Sequence, residues 1–193
     1  MIKNTFSKRS QNRDKAQVDH YAALHHGFHW QVDEYFNMAD VCCKRWAEQG
    51  AIKKVAVHDH KQGLTATFYT YFELQKAADA LSHMLSGLGV QRGDRVAILL
   101  PQAPEVAAAH IATYKLAAVA LPIAILFGPD ALGYRLQNSG AKALLTNAQG
   151  LAKLAGIRAE APDLKCVLSI DGAGEGAASF PDLLAKASAS FTP

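Results

Sequence analysis

Cysteine is scarce in this chain: Cys42, Cys43 and Cys166 are the only three in 193 residues, and no C-x-x-C spacing joins them. That excludes a disulfide framework and a dithiol redox motif. A basic stripe with interleaved aromatics is also missing. The formal charge is +3, and the densest basic stretch, "KRSQNRDK" (8–15), is interrupted by Asp14. The expectation is a solvated tail there and no nucleic-acid partner. No apolar run follows these basic residues, so no secretory signal is read. The most membrane-like segment, "VAAAHIATYKLAAVALPIAILF" (106–127), carries His110, Lys115 and Pro122. Its uncharged part falls short of the roughly 20 apolar residues a spanning helix needs. A buried helix followed by a buried strand is expected instead, in a soluble, cytoplasmic protein with no membrane partner. Ready-made catalytic signatures are absent too: no G-x-S-x-G elbow, no H-E-x-x-H, no loop ending in G-K-[ST].

What is present is alternation. Half of the residues are hydrophobic, enough for one sizeable core or a large piece of a bigger domain. Residues 1–35 are polar with weak periodicity and read as an N-terminal extension. From Phe36 to Pro193 the pattern sharpens into one α/β unit. In "FNMADVCCKRWAEQG", Phe36, Ala39, Cys43, Trp46 and Ala47 recur at helical spacing. "KVAVHDH" and "LTATFY" flank "KQG" as two strands joined by a tight turn. Thr70 and Glu73 have the spacing of a capping box. Leu74, Ala77, Ala78, Leu81, Leu85 and Leu88 then form one face, and Gly89 suits the stop. "DRVAILL" (94–100) reads as a buried strand, and Pro104 opens a buried helix to about 117. Further along, "VALPI", "KALLTN" and "LKCVLSI" read as strands; "PDALGYRLQNSG", "AQGLAKLAG" and "FPDLLAKAS" read as helices. Strands alternating with helices predict a mostly parallel sheet covered on both faces.

Three stretches invite a functional reading. Gly172, Gly174 and Ala177 satisfy the G-x-G-x-x-G/A spacing of a dinucleotide loop. No later strand supplies the acidic ribose partner, and Glu175 would place negative charge inside the loop. A surface connection is the better expectation, with a dinucleotide-dependent oxidoreductase the weakest function considered. His25 and His29 stand i, i+4 beside His20 and His26, but no Glu or Cys nearby completes a metal set. Cys43 falls on an apolar stripe and reads as a small buried hydrophobe rather than a nucleophile. From the residues alone, the result is an α/β sheet protein with no active site.

Several stretches, in order, resemble the adenylate-forming (AMP-binding) acyl-CoA synthetases, among them the acetyl- and medium-chain group. "FNMADVCCKRWAEQG" is similar to their opening helix; "TFYTYFELQKAADALSHMLSGLGVQRGDRVAILLPQAPE" resembles their first core, with G-x-x-x-G-D-R-V-A-I-x-L-P. "YKLAAVALPIAILFGPDALGYRLQNSGAKALLTN" resembles the second, with K-x-G-A, A-L-x-[YD]-R-[LI] and A-K. The likeness covers about residues 20–148 well and the rest loosely. Where the family usually has glycine this chain has Ala117, and a small residue at this crowded strand entry is expected to cost little functionally. The resemblance implies the first part of a large N-terminal domain. It also implies activation of a small carboxylic or fatty acid with ATP and Mg, then transfer to the thiol of coenzyme A. The family's Ser/Thr/Gly-rich phosphate loop, its later ribose acid and its C-terminal lysine have no counterpart here. The chain is therefore expected to be inactive alone, with no catalytic or metal residue of its own and no tight cofactor binding. The resemblance carries coenzyme A contact onto Leu126, Gly133, Tyr134, Arg135 and Leu136. The alternative is a non-catalytic partner-binding module, whose uncovered apolar surface favours self-association.

Overall fold

The computed structural model describes residues 19–48, 54–60, 66–174, 176–186 and 191. The basic stretch 8–15, the "KQG" turn (61–63) and Glu175 lie outside the described residues. Two compact units emerge, Met1–Phe36 and Asn37–Pro193. The first holds helix α1 (His20–Gly27), which Asp19 caps by accepting from the Ala22 amide at 3.0 Å. No residue of α1 is buried.

The second unit contains a five-stranded sheet of β3 (Arg95–Ile98), β4 (Val119–Pro122), β5 (Ala143–Thr146), β6 (Cys166–Ser169) and β7 (Ala178–Ser179). The order is β4-β3-β5-β6-β7, and every pairing is parallel. Helices α4 (Pro104–Lys115), α5 (Pro129–Ser139) and α6 (Ala148–Ala155) make the crossovers, and α7 (Phe180–Lys186) follows β7. Alternate strand residues serve opposite faces. Val96, Ile98, Ala143, Leu145, Cys166 and Leu168 share one core with α4 and with α3 (Tyr71–Gly87). Ala97, Leu99, Leu144 and Val167 share the other with Leu132 and Leu136 of α5 and Leu154 of α6. The expected sheet with helices on both faces is what forms. β7 lies outside the sequence reading, because two residues carry no periodicity. The smaller sheet pairs β1 (Val55–Asp59) and β2 (Thr67–Thr70) antiparallel, as expected.

The capping box forms in full: the Glu73 amide donates to Thr70 Oγ1 at 3.2 Å, and Thr70 N–H donates to Glu73 at 2.8 Å. The Thr70 amide and hydroxyl hold the Glu73 carboxyl below its ordinary range. The opening helix departs from expectation, since its middle, Asp40–Lys44, is a π turn running into α2 (Arg45–Glu48). The extra residue in that turn accompanies full burial of Cys43 and exposure of Cys42.

Three helices end in the same way. After α3 the Val90 amide reaches back to Leu85 O, after α4 Ala118 to Thr113 O, and after α5 Ala141 to Leu136 O. Each of these six-to-one closures needs one left-handed residue. Gly89 (φ 90°) and Gly140 (φ 58°) supply it twice, but the third is Ala117 at φ 51°. Ala117 therefore costs more than its size suggests, because the penalty is conformational rather than steric. A left-handed non-glycine costs about 1–2 kcal/mol, and glycine's freedom when unfolded returns roughly 0.5–1 of that. Ala117→Gly is expected to stabilise the chain by about 0.5–1 kcal/mol, read as a higher urea midpoint at unchanged slope. A lower midpoint would contradict the placement.

Candidate functional site: the β4–α5 loop and the face of α5

The residues that carry the motif likeness are structural devices. Asp94 of "GDRV" accepts from the Gln91 amide at 2.7 Å and from Lys142 Nζ at 2.9 Å. Hydrogen bonding from Lys142 is the main reason its carboxyl lies below the ordinary range. Arg95 caps the end of α5, donating to Ser139 O at 2.6 Å and Gly140 O at 2.7 Å. Asn37 accepts from the Ala39 amide at 2.9 Å and donates to Lys115 O at 3.3 Å, fixing the opening helix against the end of α4. Lys115 itself is buried, with Nζ 2.5 Å from Asp79. These groups hold turns and helix ends.

Asp171, Gly174 and Ala177 of the glycine-rich loop bond within the protein. Asp171 turns back and accepts from the Ala148 amide at 2.8 Å. A carboxylate thus already sits at the N-terminus of α6, where a phosphate would otherwise be favoured. Gly174 and Ala177 bond each other twice, at 3.2 and 3.0 Å. The spacing that resembles a dinucleotide fingerprint forms a self-closed turn.

His25 and His26 of α1 meet their own neighbours. His25 stacks on Tyr21, with ring centroids 5.8 Å apart, and meets His26 edge-on. Among the described residues no three His, Cys, Asp or Glu side chains could hold a metal. Burial pushes the thiols of Cys43 and Cys166 up to about 11, so both stay protonated near neutral pH. Among the described residues no helix is long and apolar enough to cross a membrane.

What remains is the segment after β4. The chain leaves the edge strand at Pro122, buries Ile123, and runs outward through Ile125, Leu126 and Phe127 before α5 starts at Pro129. Leu126 is 91% exposed and Tyr134 is 63% exposed, both as large apolar surfaces in water. Arg135 is half-buried: its Nη1 donates to Ala131 O at 2.9 Å, and its guanidinium lies 3.8 Å from the centroid of the Phe127 ring. Stacking fixes the plane of the fork and leaves most of its N–H donors without a protein partner among the described residues. The other two expected positions turn inward. Leu136 is buried in the second core, and Gly133 packs over Glu160, where a Cβ would come within 2.6 Å of Oε2. The structure thus presents Leu126, Tyr134 and Arg135 outward and uses Gly133 and Leu136 as packing.

Lys153 of α6 is part of this site and was invisible in the sequence. Its ammonium donates to Phe127 O at 2.9 Å and to Ile125 O. No local pattern announces a lysine whose acceptors are carbonyls on another loop. Asn147 caps α6 by accepting from the Gly150 amide at 3.0 Å, and an Asn just before a helix is a signal that could have found it.

Comparison with known proteins bears on this geometry. The family model "AMP-binding enzyme" matches residues 43–190. An acetyl-coenzyme A synthetase of Streptomyces coelicolor is 34% identical over 117 residues, which is 61% of this chain and 18% of that protein. One from Xanthobacter autotrophicus is 32% identical over 127 residues, 66% of this chain and 20% of that protein. The crystal structure of a Brucella canis acyl-CoA synthetase superposes with a TM-score of 0.75 at 30% identity, covering 92% of this chain and 32% of that one. The chain spans about a fifth of the length of these curated relatives.

Proposed function

The chain belongs to the AMP-binding enzyme family, and from that premise we propose that it is the front part of an ATP-dependent acyl-CoA synthetase. In this reading residues 36–193 form the start of the N-terminal domain and 1–35 an extension to it. The whole enzyme joins a small carboxylic or fatty acid to coenzyme A, with MgATP cleaved to AMP and pyrophosphate, in the cytoplasm. This chain contributes scaffold and one wall of the coenzyme A approach. Adenylation depends on groups held in position around the nucleotide, and the described residues form no such constellation. The chain alone is therefore inactive and binds ATP and Mg weakly or not at all.

The observation that carries the coenzyme A wall is the Arg135–Phe127 stack beside exposed Leu126 and Tyr134. An arginine fork held flat, with donors to spare, suits a phosphate group. The apolar neighbours suit the ligand's uncharged arm. In equilibrium dialysis with coenzyme A, Arg135→Ala is expected to weaken binding about tenfold, as loss of one charge-assisted contact. An unchanged affinity would remove Arg135 from the site. A second reading, a partner-binding module, draws on the N-terminal unit, where Trp30 and Tyr35 are 84% and 86% exposed. It requires the solution mass to rise with concentration.

A further inference from the structure

The loop that presents Leu126 has no regular structure of its own, yet its shape decides where the Phe127 ring stands. Three hydrogen bonds define it. The Phe127 amide donates to Ala124 O at 3.1 Å, closing a tight turn across 124–127. The carbonyls of Ile125 and Phe127 both point at one ammonium, that of Lys153. Gripping the residues on either side of Leu126 leaves that side chain no inward course, consistent with its 91% exposure. The same grip fixes Phe127, and Phe127 is the platform on which Arg135 lies at 3.8 Å. Lys153 itself is anchored, since α6 starts at the Asn147 cap and buries Leu154 in the second core.

We infer that Lys153 is a positioning residue for the coenzyme A wall: it fixes the 124–127 loop, and through Phe127 it sets the plane of the Arg135 fork. The inference rests on the coenzyme A reading of Arg135 and adds a residue to it. A point charge on a flexible stem fits this task, because it can serve two carbonyls at once while its methylenes pack on the helix. Removing it leaves two carbonyls to water and lets the loop sample other courses.

The test compares Lys153→Met, which keeps the stem, with Lys153→Arg, which can still bridge two carbonyls. Amide exchange and coenzyme A titration are followed by NMR in the full chain. In Lys153→Met, exchange at the Phe127 amide, which is held by Ala124 O, is expected to rise about tenfold while α6 amides hold, a local opening rather than unfolding. The coenzyme A dissociation constant rises about fivefold, and Lys153→Arg recovers most of both. Unchanged loop exchange overturns the inference. So does a loosened loop with unaltered coenzyme A affinity when Arg135→Ala does lose affinity. If the unmodified chain shows no coenzyme A response at millimolar ligand, the coenzyme A reading fails, and loop exchange alone decides whether Lys153 holds the loop. Should Lys153→Met not fold, Lys153→Gln, which cannot reach both carbonyls, replaces it.

Discussion

Lys115→Met is expected to cost about 3–5 kcal/mol of stability, the largest effect of any single substitution considered, because it strands a buried carboxylate. The side chains of Lys115 and Asp79 are 1% and 9% exposed, and 2.5 Å separates them across the α3–α4 contact. Gln75 Nε2 adds two weak hydrogen bonds to Asp79, at 3.5 Å to Oδ1 and 3.4 Å to Oδ2. With the ammonium gone, the stranded carboxylate must be protonated or reach water by opening the helix pair. Replacing both partners is a different matter. Asp79→Leu/Lys115→Met exchanges an ion pair for apolar contact and should recover most of the loss, as buried pairs commonly do. Denaturant unfolding of the two single variants and the double variant reads the coupling. A Lys115→Met chain within about 1 kcal/mol of the parent would mean that the pair is not buried as placed.

The second large effect concerns a residue that looks dispensable. Gly150 stands in the first turn of α6, where alanine would ordinarily favour the helix by about 1 kcal/mol. Here a Cβ would come within 1.9 Å of Thr146 Oγ1 and 3.0 Å of a Leu99 methyl. Thr146 cannot step aside freely, since it is fully buried and its hydroxyl donates to Leu99 O at 3.0 Å. A β-branched side chain in a strand has few other rotamers to use. Gly150→Ala is therefore expected to destabilise by about 1–3 kcal/mol despite its better helix propensity. Thr146→Ala/Gly150→Ala removes the colliding oxygen and should be more stable than Gly150→Ala alone. A thermal unfolding series over the three variants decides it, and a stabilised Gly150→Ala would contradict the close packing of α6 on β5.

Much of the architecture was legible because local signals agreed. Thr70 and Glu73 announced a helix start, Gly89 and Gly140 announced stops, and Pro104 and Pro129 stand at first helical turns. The short apolar runs of β3, β5 and β6 are buried on both faces, which is how strands of a covered parallel sheet read. What stayed hidden depends on tertiary partners. Lys115 in an otherwise apolar helix gave no hint that Asp79, on the preceding helix, would meet it. Ala117 looked harmless because size, not φ, is what a sequence displays. The motif residues Asp94, Arg95 and Lys142 were easy to find, yet their roles as turn and cap ligands follow only from their partners. At the candidate site the sequence resemblance singled out five positions, and the fold turns two of them inward.

The central claim is that the ligand face of this chain is the loop and outer side of α5, not the glycine-rich loop. One measurement tests it most directly: backbone amide shifts of the chain titrated with coenzyme A and, in a parallel sample, with MgATP. The account predicts that coenzyme A moves the amides of residues 125–136 and of Lys153, while MgATP moves little anywhere and leaves 171–177 undisturbed. Nucleotide-induced shifts centred on 171–177, with α5 silent, would contradict it.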